Sequence, residues 1–256
     1  MAIKHSGLPA VRPTPSHPAS GLHGFRTRRS PKRPSLKVLV VAAWEPELAG
    51  LRSWLSRLPE LRHTVHLRAA GVGMVEAALG TARAIAEQRV GAVIFVGTAG
   101  VYPNASKELR TGTAALASRL HLLSLGEISG AAYRPDVMPS HIEPDSDLAG
   151  VLAATGDLPS ARVACPVAIT RDAATALQIA QSTHAELENL EAFAAARAAA
   201  KAGVPFAAVL GISNAVGPSA HQQWLKMGDR AASAACAAVT SWLEADALRR
   251  PRLRFA

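Results

Sequence analysis

Four places in this chain set a reactive side chain beside an element that could aim it. Glu191 opens an Ala-rich stretch, ENLEAFAAARAAAKAG over 188–203, and Ser213-Asn214 follow directly on the apolar run Val204–Ile212. Glu45 and Glu47 flank Pro46 just after KVLVVAA at 37–43. Gly97-Thr98-Ala99-Gly100 closes an apolar run that begins at Val90. A positioned carboxylate can take a proton from water or accept from hydroxyls, and an Asn amide offers two N–H donors and a carbonyl acceptor. Plainer roles compete at each position. Asn214 can simply begin a turn, and Glu45 and Glu47 are acids of the kind that complement the positive end of a helix dipole.

Cofactor and metal chemistry find little support. Gly71-Val72-Gly73 starts like a dinucleotide fingerprint, but Glu76 stands where the third glycine belongs and the motif follows the second strand. It reads as a tight strand-to-helix turn that brings backbone close to a ligand. Cys165 and Cys236 have no metal-ligand spacing and suggest no disulfide framework, so two buried free thiols are expected.

The elements that must position these residues follow from periodicity. Strands are expected at Lys37–Ala43, His63–Ala69, Val90–Val96, Val163–Ile169 and Val204–Ile212, with weaker strand signals between Leu116 and Ser129. Helices are expected through Leu48, Leu51, Trp54 and Leu55, over Met74–Gln88, Asp172–Gln181 and Glu191–Gly203, and from Leu225 to Ala247. Tyr133–Asp147, with three prolines, reads as a loop of functional length. Strands alternating with helices predict a single α/β domain on a mostly parallel or mixed sheet. In such sheets ligands bind at the carboxyl ends of strands, which is where Glu47, Thr98 and Asn214 fall.

Charge divides the chain into three parts. The net charge is +9, of which residues 1–36 contribute seven basic side chains without an acid and residues 249–256 contribute four, leaving about −2 for 37–248. A nucleic-acid reader would carry its basic stripe on the folded face, and here the basic residues gather at the two ends instead. The Pro-rich segment 1–36 has the composition of a disordered extension, 37–248 is the expected catalytic domain, and 249–256 is a basic tail. No apolar run reaches the ~20 residues that a membrane span needs.

Read together, AAWEPE, GVGMVEAALG, VGTAG, NLEAFA, GVPF and ISNAVG resemble, in order, the segments of the nucleoside phosphorylase and nucleosidase superfamily, from about Lys37 to Leu243. The resemblance implies a three-layer α/β fold, cleavage of N-glycosidic bonds, a nucleoside as partner, no cofactor or metal, a cytoplasmic protein, and a homodimer or higher homo-oligomer. It gives Glu47 the role of activating the attacking water and Asn214 that of touching the purine. Glu191 would grip the ribose hydroxyls. Leu190 stands where Met usually lies under the sugar, Thr98 replaces a Ser near the ribose, and Gly73 and Ser213 complete the substrate-binding set.

Within that superfamily ISNAVGPSAHQQW is most similar to futalosine hydrolase, an enzyme of menaquinone biosynthesis that releases hypoxanthine. Adenine-specific nucleosidases carry Asp where this chain has Asn214. A neutral amide with two donors suits N7 and a 6-oxo group together, so the expected substrate is a 6-oxopurine nucleoside. Phosphorolytic relatives place a Gly-x-Pro-x-Arg stretch after the first strand. Two carboxylates stand there instead, and they favour water over phosphate. Ser219-Ala220 replace a family Arg, for which Arg134, Arg171 or His221 could substitute. A phosphorylase, an adenine-type nucleosidase and a nucleoside-binding protein without turnover are the alternative readings. Trp44 and Trp224 either line the pocket or pack beside it.

Overall fold

The computed structural model describes residues 35–57, 61 and 63–248, and these form one α/β unit. The expected extension up to residue 34 and the tail 249–256 lie outside the described residues. Eight strands run in chain order: β1 (Lys37–Ala42), β2 (Thr64–Ala69), β3 (Ala92–Val101), β4 (Ala114–Leu122), β5 (His141–Ile142), β6 (Ser160–Cys165), β7 (Leu187–Glu188) and β8 (Phe206–Ala215). Between them lie α1 (Ala49–Leu55), α2 (Met74–Gln88), α3 (Leu125–Ile128), α4 (Ser146–Gly156), α5 (Ala173–Thr183), α6 (Ala192–Lys201) and α7 (Ala220–Leu248).

The sheet is mixed. β1 pairs in parallel with β2 and β3, and β3 in parallel with β8. Antiparallel pairs join β3 to β7, β4 to β5, and β4 to β8. With β6 parallel to both β4 and β7, the path β3–β7–β6–β4–β8 returns to β3 and closes a ring of strands.

Alternation along the strands assigns the two faces. Leu39, Val41, Val93 and Phe95 pack with Ile85, Ala195, Ala196 and Ala199 of α2 and α6. Val38, Val40, Ile94, Val96 and Val209 pack with Leu51, Leu152, Ala235, Val239 and Leu243 of α1, α4 and α7. Burial on both faces explains why these strands read as continuous apolar runs. Each fully buried Val, Leu, Ile or Phe contributes about 1.5–3 kcal/mol. Alanine and glycine let helix backbones approach closely. A Cβ built on Gly211 would stand 1.9 Å from the Ala231 carbonyl oxygen of α7, and one on Gly80 would stand 1.9 Å from that of Ala70.

Several expected elements differ. β3 runs through Gly97–Gly100 to Val101, with a register shift between Ala99 and Gly100. Ser213 and Asn214 lie inside β8, because its pairing with β3 extends to Ala215. The region from Leu116 to Ser129 supplies one strand, and Leu125–Ile128 is a helical turn. β6 ends at Cys165, four residues before the predicted Ile169, as Pro166 removes a ladder donor. The expected loop at Tyr133–Asp147 contains the short β5 and the first turn of α4, whose N-cap Asp145 accepts from Leu148 N–H at 2.9 Å.

Candidate functional site

The segment Gly97–Gly100 of β3 is the hub at which the predicted residues meet. Glu47 lies in the first turn after β1, a 3-10 turn at Glu45–Leu48 with Pro46 fixing its start. Its Oε1 accepts from Thr98 N–H at 2.9 Å and Thr98 Oγ1–H at 3.1 Å. Its Oε2 accepts from Trp44 N–H at 3.2 Å. Glycine at 97 leaves room for the Phe95 ring, which a Cβ there would meet at 2.9 Å, whereas Glu47 Oε1 at 3.6 Å would be an ordinary contact.

Glu191 enters from the opposite side, at the opening of α6. Its Oε1 accepts from Gly73 N–H at 2.9 Å. Gly73 has a φ of +88°, a left-handed value that suits glycine and turns this N–H toward the carboxylate. The GVG turn thus presents backbone to a carboxylate of the chain itself.

Asn189, which sequence reading passed over, bridges the two halves. Its Nδ2 donates to the Thr98 carbonyl at 3.0 Å and lies 3.4 Å from Glu191 Oε2. Its Oδ1 accepts from Glu191 N–H at 3.0 Å and Ala192 N–H at 2.7 Å. An Asn two and three residues before backbone amides at a helix start is an Asx-turn signal that the sequence did contain. Leu190, half-buried, separates it from Glu191.

Asn214 is 8 % exposed on β8, beside the same β3 segment. Its Nδ2 donates to the Ala215 carbonyl at 3.0 Å, which fixes the amide orientation, and its Oδ1 accepts from Ser213 Oγ–H at 2.7 Å. Ser213 Oγ also lies 3.1 Å from the Ala99 carbonyl, and its one proton serves one acceptor at a time. The expectation of two free donors on Asn214 therefore needs correction. One N–H is spent on Ala215, and one is left without a protein acceptor among the described residues. Gly100 is required here, since a Cβ would lie 2.9 Å from Asn214 Nδ2 and 2.8 Å from Val216 Cγ2.

Two aromatic residues flank this group. Trp224, in the first turns of α7, donates Nε1–H to Thr98 Oγ1 at 3.2 Å. Trp44 stands 6.2 Å from it, ring centroid to centroid, and His221 stacks on it at 6.1 Å. The polar tie to Thr98 makes Trp224 part of the site; Trp44, half exposed, sits at its rim.

Burial governs the electrostatics. Desolvation raises the pKa of Glu47, opposed by the Thr98 and Trp44 donors and reinforced by the Glu191 charge. Desolvation likewise raises that of Glu191, against the donors from Gly73 and Asn189. Two carboxylates that feel each other in a poorly hydrated place favour proton uptake.

The remaining candidates go elsewhere. Glu45 pairs with Arg52 at the surface, as an ordinary first-turn acid. Asp172 is the N-cap of α5, accepting from Thr175 N–H at 2.7 Å. Arg171 is exposed, and Arg134 is held by Glu127 and by the Leu122 carbonyl. Arg134 lines a separate cavity of about 580 Å³ with Leu122, Ser124, Ile128 and Ser140, which shares no residue with the group above. Cys165 and Cys236 are free and buried, as expected. Among the described residues no cluster of three or more metal-ligating side chains occurs, and no helix is long and apolar enough to cross a membrane.

Comparison with known proteins agrees with this architecture. Among solved structures, futalosine hydrolase of Helicobacter pylori superposes with a TM-score of 0.73 at 16% identity, covering 82% of this chain and 97% of that one. The 5′-methylthioadenosine/S-adenosylhomocysteine nucleosidase of Helicobacter pylori, complexed with a pyrrolidine-based ligand, gives 0.74 at 16% identity, covering 83% and 100%. S-adenosylhomocysteine nucleosidase of Streptococcus pyogenes, in complex with 5-methylthiotubericidin, gives 0.72 at 21% identity, covering 84% and 98%. A search among curated protein sequences finds no match. The sequence profile of the phosphorylase superfamily matches residues 39–244, from within β1 to near the end of α7, and the chain belongs to that superfamily.

Proposed function

We propose that this protein hydrolyses the N-glycosidic bond of a purine nucleoside, with a 6-oxopurine nucleoside of the futalosine type as the leading substrate. The observation that carries the reading is the shared attachment of Glu47, Glu191 and Asn214 to Thr98–Gly100 and its immediate neighbours. Cleavage places positive charge on the sugar and negative charge on the departing base. Groups that strengthen toward that state accelerate it.

Glu47, ionised, takes a proton from water as its oxygen attacks the anomeric carbon. Glu191 accepts from the ribose hydroxyls. The unspent N–H of Asn214 donates to N7 as charge builds on the purine, and the base leaves as the bond to the sugar breaks. Water is favoured over phosphate because no Lys or Arg among the described residues bonds to Glu47, Thr98, Asn189, Glu191, Ser213 or Asn214. A phosphate dianion would meet two carboxylates without a guanidinium to hold it.

Asn214 also bears on the base. The oxygen that would receive a 6-amino group accepts from Ser213 at 2.7 Å, so the side chain presents its one unspent donor, which suits N7 or a 6-oxo group. A second reading, a 6-aminopurine nucleoside, rests on the lone pair that Oδ1 retains; N–H and carbonyl would then read adenine together, as Asn does elsewhere.

The test is direct. Purified protein is given futalosine, inosine and methylthioadenosine, and free base is measured with and without phosphate. Hypoxanthine release from the 6-oxopurines without phosphate is expected. Phosphate-dependent release overturns the hydrolytic assignment, and adenine release alone overturns the 6-oxo preference. A homodimer is proposed from the resemblance and is checked by sedimentation.

A further inference from the structure

We infer that Asn189 is a positioning residue that sets the spacing between the two carboxylates of the site. This inference rests on the proposed roles of Glu47 and Glu191. Four contacts carry it. The carboxamide is buried and donates to the carbonyl of Thr98, the residue whose N–H and hydroxyl hold Glu47. The same nitrogen faces Glu191 Oε2, while the oxygen receives the backbone amides of Glu191 and Ala192. One planar group is therefore fastened to the strand that fixes one carboxylate and to the helix start that fixes the other. Misplacement of reacting groups by about 1 Å can cost about 100-fold in rate, so a tie of this kind has a direct kinetic reading.

The chemistry requires both ends of an amide. Asp at this position keeps an oxygen for the two helix amides, so the start of α6 remains capped. It loses both donors and turns a second oxygen toward the Thr98 carbonyl and Glu191. The ionisable groups nearby are Glu47 from the turn after β1, Glu191 itself, Glu188 from β7, and the Cys165 thiol from β6, which senses Glu188 and Glu191. None of these is basic, so a new carboxylate there has no counter-charge among them. It raises the proton affinity of its neighbours.

The experiment compares wild type with Asn189→Asp across acid to mildly alkaline pH. It measures kcat and KM on futalosine and inosine, carboxyl titration of Glu47 and Glu191 by NMR, and thermal unfolding. The expected result is a fall in kcat of about 10- to 100-fold with KM changed only a few-fold. The acid limb of the rate profile and the Glu191 titration should both move upward, while Tm falls at neutral pH, recovers in acid, and leaves the protein folded at the assay temperature. Unchanged titrations and profile, or a rate loss that matches the loss of folded protein, overturn the inference. Should the Asp variant not fold, Asn189→Ser retains an acceptor for the helix amides but is too short to reach Thr98 or Glu191. The same upward shift is expected of it, and its absence counts against the tie. Wild type that cleaves none of futalosine, inosine and methylthioadenosine, while the substitution still moves the carboxyl titrations, refutes the nucleosidase reading and leaves the tie standing. Normal wild-type turnover with an indifferent variant refutes only the tie.

Discussion

Replacing Glu47 by Gln separates catalysis from stability with a change of one atom. Gln retains an oxygen to accept from Thr98 N–H and Oγ1–H, so the hub is preserved. Its amide nitrogen replaces the oxygen that received Trp44 N–H, a contact at the exposed rim where water can substitute. The proton acceptor is lost. A general base contributes about 100- to 10,000-fold, which is about 3–5 kcal/mol of barrier, so kcat should fall by that factor.

Stability should move the other way. Burial raises the Glu47 pKa in the folded state above its unfolded value. The stabilisation from this proton uptake is fully present below the unfolded pKa and is lost as pH rises through the folded one. At neutral pH the wild type therefore carries the cost of a buried, ionised carboxylate, and Gln removes it. A gain of about 1 kcal/mol is typical of relieving such functional strain, equal to about 2–4 °C in Tm for a domain of this length. In acid the two proteins should converge. Base release and thermal melts at neutral and acid pH provide the check. Turnover within a few-fold of wild type, or a variant less stable at neutral pH, would refute the reasoning.

Gly100→Ala should cut turnover about tenfold or more and destabilise by about 1–3 kcal/mol, because its Cβ meets Asn214 Nδ2 and Val216 Cγ2 within 3 Å; activity assays with denaturant melts check both. Ser213→Ala removes the donor that engages Asn214 Oδ1. It should lower kcat on 6-oxopurines by about 5- to 10-fold, in line with one hydrogen bond of about 1 kcal/mol, and narrow the preference over a 6-aminopurine; competition assays test this. Wild-type kcat/KM should rise with pH through a value above the ordinary carboxylate range, since Glu47 must be ionised to act and its pKa is raised. A pH–rate profile with its acid limb at the usual Glu value would contradict this.

Much of the scaffold was legible because apolar periodicity and burial are the same physics seen twice. α2 begins and ends at the predicted Met74 and Gln88, where Gly73 and the left-handed Arg89 bound it. The candidate residues were picked out through resemblance; the structure links Glu47, Thr98, Glu191 and Gly73 through Asn189, and sets Ser213 and Asn214, bonded to each other, beside Ala99 and Gly100. What sequence could not supply was partner choice. Nothing in GVG says that its amide serves Glu191, and nothing in SNA says that one Asn214 donor is spent on the next carbonyl. Asn189 escaped notice because its four contacts are tertiary or lie at a helix start that reads equally well from Glu191. β7 escaped because two residues leave no alternation to detect. The ends of β3 and β8 were drawn short because Gly, Ser, Thr and Asn resemble turns until a neighbouring strand claims their amides.

The near contact between Gly211 and Ala231 bears on how this protein can change. Helix α7 lies against β8 with no intervening side chain at that point, and the same helix carries Trp224 two turns earlier, hooked to Thr98. The helix is thus a rigid bar resting on a fulcrum at the sheet. A methyl group added at 211, the β8 residue in register with Thr98, would lift the bar and swing its indole end. At position 211 only hydrogen fits between strand and helix, so packing there and the seat of Trp224 are set by one and the same contact.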